Sequence, residues 1–202
     1  LKLAPWGASV EEVYAAAAAI ARRAGAPLIA GDVGPTGALL QPLGPMSFQE
    51  AYDIFAEQAR AAEAAGCHLI IVETFSDLLE AKAALLACLE NTALPVLCTM
   101  TFDEDGRTFM GTTPAIAAST LSAIGAAAVG ANCSLGPAET APLAASMVSF
   151  ARCPIMVQPN AGLPRIASDG TTVFDVGPED FCRAMEAVLE GGASIVGGCC
   201  GT

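Results

Sequence analysis

Near its end the chain reads Gly197-Gly198-Cys199-Cys200-Gly201-Thr202. Two adjacent cysteines in a regular strand point to opposite faces, so both serve one site only where the strand stops and the backbone turns. The flanking glycines permit that turn. A third thiol stands in Ala131-Asn132-Cys133-Ser134, again where an apolar run ends. Three thiolates with no histidine nearby form a soft donor set suited to Zn²⁺. Structural zinc usually has four protein ligands in paired C-x-x-C knuckles, whereas three ligands with one open position are the pattern of a catalytic site. Two other readings share the spacing: a strained vicinal disulfide, and three buried cysteines with no metal. The remaining five, Cys67, Cys88, Cys98, Cys153 and Cys182, sit singly in apolar surroundings, where a cysteine is most often a small buried hydrophobe.

Other polar residues also close apolar runs. Glu73 is either a carboxylate for a substrate cation or a helix-initiating residue ahead of Ser76-Asp77. Asp32 is either a substrate-site residue or a loop cap. Asn160 either caps a turn or offers a neutral amide oxygen to the substrate site or to the open metal position. The one histidine, His68, begins its strand, away from the strand ends that gather the polar residues, and reads as structural. Gly34-Pro35-Thr36-Gly37 lacks the Gly-Lys-Ser/Thr ending of a P-loop and reads as a tight turn.

Such residues need a scaffold that brings strand ends together. Apolar runs recur at Pro27 to Ala30, His68 to Glu73, Pro95 to Thr101, Ala126 to Cys133, Pro154 to Gln158 and Ser194 to Gly198, and they read as buried parallel strands. Helical segments lie between them. Ser47 with Glu50 forms a capping-box pattern, Thr113-Pro114 and Gly177-Pro178 place Pro at a first helical position, and Gly66, Gly125 and Gly191 or Gly192 follow the helices as C-caps. This regular alternation predicts a parallel sheet with helical crossovers. Periodicity alone leaves an open doubly wound sheet and a closed barrel both standing. The polar residue at every strand end favours a (β/α)8 barrel with its site ringed by βα loops. Six strands are counted where a barrel needs eight, so the fold expected for residues 1–202 is one incomplete barrel domain.

Composition narrows the function. A net charge of -12 with nine Lys and Arg provides no basic stripe for nucleic acid. No apolar run approaches the roughly 20 residues that span a bilayer, and no signal-peptide pattern opens the chain. The expectation is a soluble, cytoplasmic protein.

Matching motifs extend over nearly the whole chain. Gly130-Ala131-Asn132-Cys133 and Gly198-Cys199-Cys200-Gly201 resemble the two cysteine-bearing strand ends of the homocysteine S-methyltransferase family. Gly31-Asp32-Val33-Gly34-Pro35-Thr36-Gly37, Val72-Glu73-Thr74-Phe75, Met100-Thr101-Phe102-Asp103 and Gln158-Pro159-Asn160-Ala161-Gly162 are similar to its cobalamin-dependent methionine synthase branch in particular. The resemblance implies that Cys133, Cys199 and Cys200 bind zinc, that Glu73 holds the homocysteine ammonium, and that the homocysteine sulfur is methylated to methionine. It further implies methylcobalamin as methyl donor, carried with folate on other domains of a parent protein. A stand-alone enzyme using betaine or S-methylmethionine, or a non-catalytic zinc-thiolate module, are the alternatives. The family's first two strands have no counterpart here, so the six strands correspond to its third to eighth.

Overall fold

The computed structural model describes residues 3–202. Its main sheet contains β1 (Ala30–Val33), β2 (Leu69–Phe75), β3 (Val96–Met100), β4 (Ala128–Asn132), β5 (Ile155–Gln158) and β8 (Ala193–Val196), hydrogen-bonded in the order β1-β2-β3-β4-β5-β8. The strands run parallel in chain order; α1 (Val10–Arg23) precedes β1, and the helical crossovers are α2 to α6 at Phe48–Ala64, Leu78–Asn91, Pro114–Ile124, Pro137–Val148 and Pro178–Glu190. This is the six-strand portion of a (β/α) barrel, as the strand count implies. Among the described residues no helix is long and apolar enough to cross a membrane.

The chain forms two compact units. One comprises the residues up to Val72 together with Leu79–Leu97. Its helices start where the sequence says they should: Ser47 accepts from Glu50 N–H at 3.1 Å while Glu50 reaches back to Ser47 N–H at 2.7 Å. Alanine lets helix and strand approach closely. Ala51, Ala59 and Ala62 of α2 are fully buried, and a Cβ added at Gly31 in β1 would lie 2.6 Å from that of Ala62. His68 is structural, its Nδ1 accepting from Ile29 N–H at 3.0 Å. The Gly34–Gly37 turn is pinned by buried Glu80, which accepts from Thr36 N–H at 2.8 Å and from its hydroxyl at 2.6 Å.

The first strand departs from expectation. Pairing begins at Ala30 opposite Leu69, three residues later than the apolar run suggests, and Leu28 is 64% exposed. Asp32 therefore lies within β1 rather than beyond it.

The second unit comprises Glu73–Leu78 and Cys98–Thr202. Its core is built from Val129 and Ala131 of β4, Met156 and Val157 of β5, and Leu121, Met147 and Val188 of the helices. An unforeseen hairpin, β6 (Arg165–Ile166) with β7 (Thr172–Val173), interrupts the crossover after β5. Its turn is made by Asp169, which accepts from Thr171 N–H at 3.0 Å, and by Gly170 at φ 83°. Cys67, Cys88 and Cys98 are buried as expected, but Cys182 is exposed, because it falls on the outer side of amphipathic α6.

Gly130 sits where β4 and β5 nearly touch, opposite Met156 in the register: a Cβ there would lie 1.6 Å from the Met156 carbonyl oxygen. Gly130→Ala should therefore force the strands apart and lower the unfolding free energy by about 2 kcal/mol or more. Urea denaturation checks this, with Gly34→Ala, where nothing lies within 4 Å of the added carbon, staying near wild type.

Candidate metal centre

Cys133 follows directly on β4, and the chain there turns sharply. Cys133 and Ser134 both adopt positive φ, 63° and 61°, and Leu135 N–H closes back on Cys133 C=O at 2.7 Å. Left-handed backbone at non-glycine residues costs about 1–3 kcal/mol each, so the surroundings must impose it.

The segment that follows β5 does so. Cys133 N–H donates to Gln158 C=O at 3.0 Å, and Asn160 N–H donates to Leu135 C=O at 2.9 Å. On its other side the same segment grips the second cysteine loop. Cys199 N–H donates to Pro159 C=O at 2.9 Å, Cys200 N–H to Asn160 Oδ1 at 3.0 Å, and Ala161 N–H to Cys200 C=O at 2.9 Å. Beyond β8 the loop turns at Gly201 with φ 84°, and Thr202 donates through its hydroxyl to Cys199 C=O at 2.8 Å. Gln158–Ala161 is thus a brace that fixes both thiol loops, each through backbone groups.

The three sulfurs consequently converge within 4.8 Å of one another, with Cys133 Sγ and Cys200 Sγ 3.8 Å apart. Four sulfurs placed tetrahedrally at 2.3 Å from zinc stand about 3.8 Å from each other. The donor chemistry and the spacing both fit that ion. Cys133 and Cys199 are half-buried and Cys200 is exposed. Burial, reinforced by the neighbouring Cys133, pushes the Cys199 thiol up to about 12, and burial together with the hydrogen bond to Cys133 raises Cys200 as well. Crowded thiols resist ionising together, and a dication among them reverses that preference.

The sequence match decides the family. The homocysteine S-methyltransferase family profile covers residues 2–202. The chain belongs to the homocysteine S-methyltransferase family. Methionine synthases of Mycobacterium leprae and Mycobacterium tuberculosis are 32% and 33% identical over 180 residues, which is 86% of this chain. The chain spans 15% of the length of each. The Escherichia coli homocysteine methyltransferase MmuM, in its metallated form, superposes with a TM-score of 0.75 at 20% identity, covering 99% of this chain and 70% of that one.

Other candidate residues of this family member fall as follows. Glu73 is half-buried near the end of β2, in the same compact unit as the cysteines. Asp32 belongs to the first unit; its backbone C=O accepts from the Tyr14 hydroxyl, and desolvation raises its carboxyl above the usual range. Asn160 is buried, with one amide-oxygen lone pair engaged by Cys200.

Asn132 has a role its sequence context does not reveal. Buried at 1% exposure, its Oδ1 accepts from Thr74 N–H at 2.9 Å and from the Thr99 hydroxyl at 2.8 Å, and its Nδ2 donates to Thr74 Oγ1 at 2.8 Å. The only hint in the sequence is an amide closing an otherwise apolar run.

The raised Cys199 thiol carries a sign. Free thiols ionise near 9, so between pH 9 and about 12 the unfolded chain has lost a proton that the folded, metal-free chain retains, and stability must fall as pH rises. Denaturation of the metal-free protein across that range should show the decline, and Cys199→Ser should make it shallower.

Proposed function

We propose that this chain is the zinc- and homocysteine-binding module of a methionine synthase, methylating the homocysteine sulfur. The observation that carries the proposal is the convergence of Cys133, Cys199 and Cys200 at a spacing that matches tetrahedral zinc. Zinc bound there supplies the Lewis acidity that keeps a fourth, incoming thiol deprotonated at neutral pH, where a free thiol is mostly protonated and weakly nucleophilic.

The protein's residues do the rest. Cys133, Cys199 and Cys200 would hold the ion as thiolates, and their three negative charges would keep an incoming substrate sulfur electron-rich. Glu73 receives the homocysteine ammonium in a charge-assisted hydrogen bond and so orients the sulfur. Asn160 steadies Cys200 through one lone pair, and its second is left for the open metal position or the substrate. The homocysteine thiol proton leaves to solvent; its sulfur then attacks the methyl carbon in line, forming the S–C bond as the donor–methyl bond breaks.

The motifs that resemble the cobalamin-dependent branch of the family imply methylcobalamin as donor, presented by another domain of a longer protein, with a folate-binding domain alongside. A second reading has its own support. A cavity of about 440 Å³ beside Ser134 and Leu135 is lined by Asp103, Glu104 and Asp105, and such an acidic wall suits the methyl-bearing ammonium or sulfonium centre of a small donor such as betaine or S-methylmethionine. Methyl transfer assayed with each donor separates the two.

Two outcomes are expected. Zinc should bind at one ion per chain, and Cys133→Ser should lose most of it by atomic absorption; full retention would refute the site. Glu73→Gln should weaken homocysteine binding by roughly 1.5–3 kcal/mol with zinc content unchanged, as isothermal titration can measure. Unaltered affinity would remove Glu73 from the site.

A further inference from the structure

Thr74, the residue after Glu73, adopts φ 68°. That region is unfavourable for any L-residue and is a genuine outlier for a β-branched one. Something must hold it there, and Asn132 is placed to do so. The Asn132 amide grips Thr74 at two points, accepting from its N–H and donating to its hydroxyl. Asn132 is itself anchored by the Thr99 hydroxyl, and the Thr101 hydroxyl donates to its carbonyl at 3.1 Å. Thr101 N–H also donates to Phe75 C=O at 2.9 Å, tying down the residue that follows Thr74. Every polar atom of the Asn132 side chain is thereby oriented, inside a site from which water is excluded.

The position of Asn132 in the chain gives this clamp its significance. Its side chain fixes the left-handed residue that follows Glu73 in β2, and its backbone leads directly into the strained turn of Cys133. One residue spans the end of β2 and the end of β4.

We infer that Asn132 is a positioning residue that holds Thr74 in its left-handed conformation near the end of β2 and thereby sets the Glu73 carboxylate at a fixed place relative to the Cys133 thiol. The inference rests on the reading of Glu73 as the ammonium ligand. It makes Asn132 a determinant of homocysteine affinity although it touches neither the ammonium nor the metal.

A rescue experiment in the zinc-loaded, full-length protein tests it, with homocysteine Kd and zinc content as readouts. Asn132→Ala should raise the homocysteine Kd about tenfold at unchanged zinc stoichiometry, since Thr74 is released from a conformation it resists. Glycine adopts positive φ without penalty, so in a Thr74→Gly background the same Asn132→Ala change should cost less than about threefold. An equal cost in both backgrounds overturns the inference, because a general packing defect would not be cured by glycine at one position. Loss of zinc in step with loss of homocysteine also overturns it, since Asn132 would then act only through Cys133. If Asn132→Ala fails to fold, Thr74→Ala decides: it deletes one partner of the clamp while keeping the strain, and an unchanged Kd counts against the clamp. Glu73→Gln measured alongside separates the two levels. Weakened binding in Glu73→Gln with normal binding in Asn132→Ala defeats the positioning inference alone, whereas normal binding in Glu73→Gln defeats the ammonium reading and the inference with it.

Discussion

Five hydrogen bonds from the segment Gln158-Pro159-Asn160-Ala161 hold the thiol centre together. Two run to the loop of Cys133 and three to the loop of Cys199 and Cys200, so cysteines far apart in sequence take their geometry from one short stretch between them. Four of the five use only backbone groups. The fifth uses the amide oxygen of Asn160, which makes this the one side chain whose chemistry the brace requires. A loop left to itself would not place two consecutive non-glycine residues at positive φ, as happens at Cys133 and Ser134; the brace and the closure onto Leu135 hold that strain in place.

The strain has a chemical use. Three thiols brought within 4.8 Å resist ionisation together, and a site that opposes its own charge when empty is most stabilised by the cation that suits it. Preorganisation and charge therefore act in the same direction. The backbone bears the cost of convergence during folding, and metal binding relieves the electrostatic part. Gly130 belongs to this account as well, because only a residue without a Cβ lets β4 lie against β5 closely enough for the two strand ends to share hydrogen bonds.

Features written in local sequence were legible, and those set by distant partners were not. The apolar runs after the first, the Ser47 capping box and the glycine-flanked cysteines each carry a signal within a few residues, and the structure has a strand, a helix start or a thiol cluster at each. The start of β1 was misplaced because Leu28 and Ile29 look like strand, while pairing is decided by the register with Leu69. The β6–β7 hairpin did have a local cue in Asp169-Gly170, but two-residue strands barely register as periodic runs. Cys182 reads as a buried hydrophobe from its apolar surroundings, which do not say which side of a helix a residue occupies. Asn132 stands out in the sequence as a polar residue closing an apolar run and as part of the Gly-x-Asn-Cys motif, but its role does not, because its partners lie 58 and 33 residues away.

The central claim is that the three cysteines form a centre with one place kept for the substrate sulfur. X-ray absorption at the zinc edge, recorded on the zinc-loaded protein before and after homocysteine is added, tests this directly. The expected result is three sulfur scatterers at about 2.3 Å that become four on addition of homocysteine. Four sulfurs already present before homocysteine, or three that remain three in its presence at saturation, would contradict it.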